Sequence, residues 1–78
     1  MRPYGDRYHW PVLEAAAARG LPVALHFGGS SGIPPTQSGW PSYYLEEYVG
    51  VSQVLQAQIT SLVAGQALVR FPELRIVV

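Results

Sequence analysis

Residues 21–32 read LPVALHFGGSSG and hold most of the groups in this sequence with chemistry to offer. An imidazole, His26, closes an apolar run, and Gly28-Gly29-Ser30-Ser31-Gly32 matches the G-x-S-x-G spacing of a serine nucleophile. Serine attack, phosphate binding and metal ligation each call for part of this set. Serine attack needs a sharp strand-to-helix turn that lifts the hydroxyl onto a helix N-terminus. Here Ile33-Pro34-Pro35 follows, no helix is expected for many residues, and no histidine lies downstream of Ser30 to act as base. A phosphate loop fails for the same reason, since its backbone amides work together with a helix N-terminus, and neither G-K-[ST] nor G-x-G-x-x-G opens a helix.

Metal ligation asks least of the surroundings. A neutral imidazole at the carboxyl end of a buried parallel strand points to where α/β barrels put their chemistry. A metal needs three or four donors, however, and the only other histidine, His9, is expected at a helix start at the opposite end of the strand. Asp6, Glu14, Glu46, Glu47 and Glu73 show no paired metal spacing on one element. The residues alone therefore leave His26 either a ligand or a core histidine donating to a backbone carbonyl. Trp40, Tyr43, Tyr44 and Tyr48 stand in the same position: they pack under a long loop, or they form a lid or pocket wall after a barrel strand.

These groups must be carried by ordinary elements. Residues 10–19, WPVLEAAAAR, predict a helix with Pro11 in its first turn and Gly20 at its end. Val12, Leu13, Ala16 and Ala17 make its apolar stripe. Residues 23–27, VALHF, predict a buried strand with Val23, Leu25 and Phe27 on one face and Ala24 and His26 on the other. Residues 28–41 form a long Gly/Pro/Ser loop, and residues 42–48 a short helical segment capped by Ser42, with Gly50 as an interruption. Residues 52–70 predict a long amphipathic helix capped by Ser52, weakened at Gly65 and striped by Leu55, Ile59, Leu62, Val63 and Val69. Phe71-Pro72 stops it, and LRIVV at residues 74–78 is the second strand. Two buried strands joined through a helix must be parallel and connected right-handedly.

Composition narrows the class. With 78 residues the chain is at most one domain, and it lies near the size where a single core barely suffices. Five basic and five acidic residues cancel, so neither nucleic acid nor an anionic membrane is an expected partner. There is no cysteine, which removes thiolate metal sites and disulfides and fits a cytoplasmic protein. No apolar run approaches the roughly 18 to 20 residues that span a bilayer. Two strands with unpaired edges also invite association with further copies of the chain.

The stretches YHWPVLEAAAARGLPVALHFGG, GWPSYYLEEYVG and QAQITSLVAGQALVRFPELRIVV resemble the amidohydrolase-2 family of metal-dependent hydrolases and decarboxylases, a TIM-barrel group that includes proteins similar to aminocarboxymuconate-semialdehyde decarboxylase. The likeness covers essentially the whole chain. It implies an α/β fold, a partial (β/α)8 TIM barrel of about two βα units, with residues 1–78 a fragment of a single domain. It implies that VALHF is about the fifth strand, that His26 is a metal ligand, and that LRIVV is the next strand. It further implies a divalent metal, Zn or Mn, and a small carboxylate or carbonyl-containing substrate; Trp40, Tyr43 and Tyr44, read as a lid or pocket wall after the strand, are the expected substrate-binding residues. The family's H-x-H pair, the His or Glu after the second strand and its late Asp have no counterpart here, so the chain is expected to be inactive alone and to be part of something longer.

Overall fold

The structure is a computed structural model that describes residues 2–26, 28 and 32–78. At its start the Asp6 carboxylate accepts the Tyr8 N–H at 2.8 Å and opens a 3₁₀ turn, Arg7–His9. Helix α1, Trp10–Ala18, follows directly with proline in its first turn, as the sequence predicts. It ends in a Schellman motif: Leu21 N–H donates to Ala16 O at 2.9 Å and Gly20 N–H to Ala17 O at 3.2 Å. Gly20 has a φ of 65°, which only glycine adopts cheaply, so the residue expected to stop the helix does stop it.

The bond from Tyr8 holds the Asp6 carboxyl below the ordinary carboxylate range, against opposing desolvation and with help from the Arg2 guanidinium 3.5 Å away. A carboxylate lowered in the folded state adds stability above its unfolded pKa of about 3.9, and that stability is lost as pH falls through the lower folded value. Asp6→Asn keeps an acceptor for Tyr8 but cannot titrate. Urea midpoints of the parent should therefore fall more steeply than those of the variant from about pH 4 downward; parallel profiles would count against the cap.

Strand β1, Val23–Ala24, pairs in parallel with β2, Ile76–Val77, in the register Val23↔Ile76 and Ala24↔Val77. Both strands are shorter than the sequence predicts. Phe27 lies outside the described residues, and Leu74 is drawn into the core by a turn in which its N–H donates to Phe71 O at 3.0 Å. The predicted facing holds where it is described: Val23 and Leu25 pack on the core, whereas Ala24 and His26 are exposed. The Arg75 guanidinium donates to Gly20 O at 2.7 Å and ties the turn before β1 to the approach to β2.

The connection between the strands departs from expectation. One helix, α2, spans Tyr44–Ala64 without interruption, in place of two segments divided at Gly50. Gly50 is buried inside it, and a Cβ there would lie 3.3 Å from the Thr36 methyl, so this glycine lets the preceding loop rest on the helix. Ser42 is not its cap: extended Tyr43 precedes the first turn and its carbonyl accepts from Glu46 N–H at 3.1 Å. Ser52 is an interior residue whose hydroxyl accepts from the Gln56 amide at 3.5 Å. Glu46 and Glu47 in the first turn favour the positive end of the helix dipole.

At the other end the predicted helix breaks. Gln66 turns left-handed, at φ 63°, and a short helix α3, Ala67–Arg70, leads to β2. Leu13, Leu62, Ala67, Phe71 and Leu74 form the core between the helices and one face of the sheet, with Trp10 edge-on to Phe71 at 5.5 Å between centroids. Of the predicted stripes only part is covered. Leu13 and Leu62 are buried, but Val12, Ile59, Val63 and Val69 are exposed, because a sheet of two strands spans too little of either helix.

Candidate functional site

His26 follows β1 at its carboxyl end and is exposed along with Ala24, on the opposite side from the Val23 and Leu25 side chains that meet the core. This is what strand alternation demands: once two bulky residues pack on helices, the residues between them face away. His26 lines a concavity of about 380 Å³ whose floor is Leu13, Leu25, Leu62 and Ile76 and whose rim includes Tyr4 and His9.

His9 is thus not remote from His26. A helix packed on the strand that follows it runs antiparallel to that strand, so the first turn of α1 returns to the carboxyl end of β1. The expectation that the two histidines lie at opposite ends treats a folded-back pair as if it were extended. The His9 Nε2 lies 3.2 Å from Arg2 O, and its ring stands edge-on between Tyr8, at 5.2 Å, and Tyr4, at 6.1 Å.

The segment that brings Tyr4 and His9 to this rim is clasped by α2. Tyr4 N–H donates to the Gln58 side-chain oxygen at 2.8 Å and Gly5 N–H to the Ser61 hydroxyl at 3.0 Å. Gly65 sits against the same segment, since a Cβ on it would approach Gly5 O to 2.5 Å. Sequence pattern does not find this clasp, because all four residues fall outside the apolar stripes. The glycines at 5 and 65 are its only trace, and either reads as an ordinary breaker.

Trp40, Tyr43 and Tyr44 do not line the concavity that holds His26, and all three are exposed. Trp40 borders a hollow of about 100 Å³ with Thr36 and Glu46. Tyr44 and Tyr48, 6.0 Å apart, border a groove of about 420 Å³ that continues down α2 through Val51, Leu55 and Ile59 and reaches Val78. The nucleophile motif lies largely outside the described residues, since Gly29, Ser30 and Ser31 are not among them. After Gly32 the next described helix is α2, at Tyr44.

Among the described residues no group of three or more His, Asp or Glu side chains could hold a metal ion. His26 and His9 are two donors at most, and a metal takes three or four, so these residues do not by themselves fit one. No helix among the described residues is long and apolar enough to cross a membrane.

Two parallel strands joined through a helix, with a histidine turned out at the carboxyl end of the first, make an α/β arrangement. The particular family follows from comparison: the chain matches the amidohydrolase family over residues 1–78 and belongs to it. None of the curated proteins matches it.

Proposed function

We propose that this chain is part of the single (β/α)8 barrel domain of a metal-dependent amidohydrolase, a hydrolase or a decarboxylase similar to aminocarboxymuconate-semialdehyde decarboxylase, and that His26 is one donor to its Zn or Mn. The observation that carries the reading is the position of His26. It stands at the carboxyl end of a parallel strand, on the side turned away from the helices, in a chain that matches the amidohydrolase family from end to end. Barrel enzymes use the residues at this end of the strands for chemistry.

In this reading the remaining donors come from strands that residues 1–78 do not contribute. The 78-residue chain alone should then turn over no substrate. Tyr4 and His9 border the same concavity as His26, which Trp40, Tyr43 and Tyr44 do not. Trp40 and Tyr43 would reach it only from the long loop before α2, and Tyr44 only from the first turn of that helix.

The test is His26→Ala in a protein that also carries the missing strands, read by metal content after dialysis and by circular dichroism. Bound metal is expected to fall by about ten-fold or more with the helical signal unchanged, since lesser changes around metal ligands already cost roughly 10- to 100-fold in affinity. Full metal content in the variant would make His26 a structural histidine and the unit a packing module.

A further inference from the structure

His9 stands at the start of α1, yet its side chain makes no capping bond to that helix. The contacts that hold it come from the preceding segment. Its Nε2 lies 3.2 Å from Arg2 O, and a carbonyl only accepts, so this nitrogen carries the proton. Tyr4 and Tyr8 stand edge-on to the ring, with centroids at 6.1 and 5.2 Å. Arg2 is itself held, for its guanidinium pairs with Asp6 at 3.5 Å and rests 5.0 Å from the centre of the Tyr8 ring. In a neutral imidazole with Nε2 protonated, Nδ1 bears the lone pair. Among the described residues this Nδ1 has no hydrogen-bond partner.

The segment that carries the ring is fixed in turn by α2. The Gln58 side-chain oxygen accepts Tyr4 N–H at 2.8 Å, and the Ser61 hydroxyl accepts the N–H of buried Gly5 at 3.0 Å. Both bonds run to α2 and neither to the edge of β1, so a further strand laid on that edge leaves them in place. In a barrel, the connection that leads from a strand into the next helix belongs to the catalytic face. Residues 2–9 lead into α1, whose first turn stands at the carboxyl end of β1 with His26.

Resting on the barrel reading above, we propose that His9 is a further residue of that site. Its Nδ1 is a hydrogen-bond acceptor, and Gln58 and Ser61 are the residues that position it. A lone pair disfavours a bare carboxylate oxygen and favours a group with a hydrogen to give. The substrate class narrows accordingly, to a carboxylate or carbonyl compound that also carries a hydroxyl or N–H close by. Support of this kind, in which hydrogen bonds from a second layer lock the rotamer of a site residue, is what an imidazole of fixed orientation requires.

Two measurements test the proposal. The first is nitrogen NMR of the 78-residue chain with isotope-labelled histidine, at pH about 8.5, where unperturbed histidines are neutral. His9 should show one tautomer, with Nε2 protonated and Nδ1 bare. Ser61→Ala should draw both resonances toward the tautomer mixture of a loose imidazole, and Ser61→Thr, which keeps the hydroxyl, should restore the parent's shifts. A mixture in the parent, or shifts unmoved by Ser61→Ala, would overturn the positioning role.

The second measurement uses a protein that also carries the missing strands. Calorimetry compares glycolate, a carboxylate with a neighbouring hydroxyl, with acetate, which has none. The parent should prefer glycolate roughly two- to ten-fold, the worth of one hydrogen bond. His9→Ala should abolish the preference while bound metal and helical circular dichroism stay unchanged. No preference in the parent, or one that survives His9→Ala, would remove His9 from the site. Should Ser61→Ala lose its fold, the parent's tautomer and the His9→Ala comparison decide. Metal content in His26→Ala is a separate readout, so a failed metal assignment is told apart from a failed role for His9.

Discussion

Gly5→Ala should be among the most damaging single substitutions in this chain. A Cβ at residue 5 would be driven into the Ser61 carbonyl and would lie 2.8 Å from the Leu62 amide nitrogen. These are backbone atoms of α2, which no rotamer change can move aside. The N-terminal segment must lift away, and with it go the bonds to the Gln58 amide and the Ser61 hydroxyl. Overpacking costs about 1–3 kcal/mol and sometimes more, and each lost hydrogen bond about 1 kcal/mol. Gly20→Ala is the control: nothing lies within 4 Å of its Cβ, and only the left-handed φ opposes it, at roughly 1–2 kcal/mol. Urea unfolding should rank the two variants in that order. A Gly5→Ala midpoint equal to the parent's would mean the segment is not docked on α2.

Leu62→Ala is the second large effect. Leu62 is 2% exposed, the largest side chain fully enclosed in the core, and it meets the cluster of Leu13, Ala67, Phe71 and Leu74. Truncating an enclosed leucine costs about 2–5 kcal/mol, through lost transfer energy and the cavity left behind. Domains are stabilised by about 0.05–0.15 kcal/mol per residue, roughly 4–12 kcal/mol for a chain of this length, so that loss is a large share of the total. Thermal unfolding followed by circular dichroism should show the Leu62→Ala midpoint lowered by roughly 10 °C or more. Ile59→Ala, three residues earlier on α2 and 39% exposed, should keep a cooperative transition. Equal behaviour of the two would show that the core does not lie where Leu62 does.

Much of this architecture is legible without coordinates, for reasons that are local. Helix α1 follows from Pro11 and four alanines, and its end from Gly20, because proline and glycine act on the backbone wherever they stand. The parallel pairing of β1 and β2 follows from two apolar runs joined through a helical one, since few other connections are sterically available. Even the facing of His26 is legible, because alternation is a property of the strand.

What fails are the readings that treat a local signal as if nothing else touched it. Gly50 has a helix breaker's propensity, about 1 kcal/mol worse than alanine, yet α2 runs through it because the loop at Thr36 needs the space a side chain would fill. Ser52 has a cap's chemistry, but a capping hydroxyl matters only where amides lack partners, and in mid-helix they have them. The stripe from Leu55 to Val69 is continuous in sequence and only partly covered in space. A pattern states which face can be buried; the amount of sheet beneath it states how much is.

The sequence by itself determined helix α1 and its end, the order of helical and strand segments around it, the parallel sense of the two strands and the outward turn of His26. Only the tertiary structure decided that His9 shares a concavity with His26, that Tyr4 and Gly5 are clasped by Gln58 and Ser61, and that the glycines at 5, 50 and 65 are points of close approach. Those contacts join segments well separated along the chain, or depend on one helix folding back along its strand, and no periodicity within a segment encodes where another segment will lie.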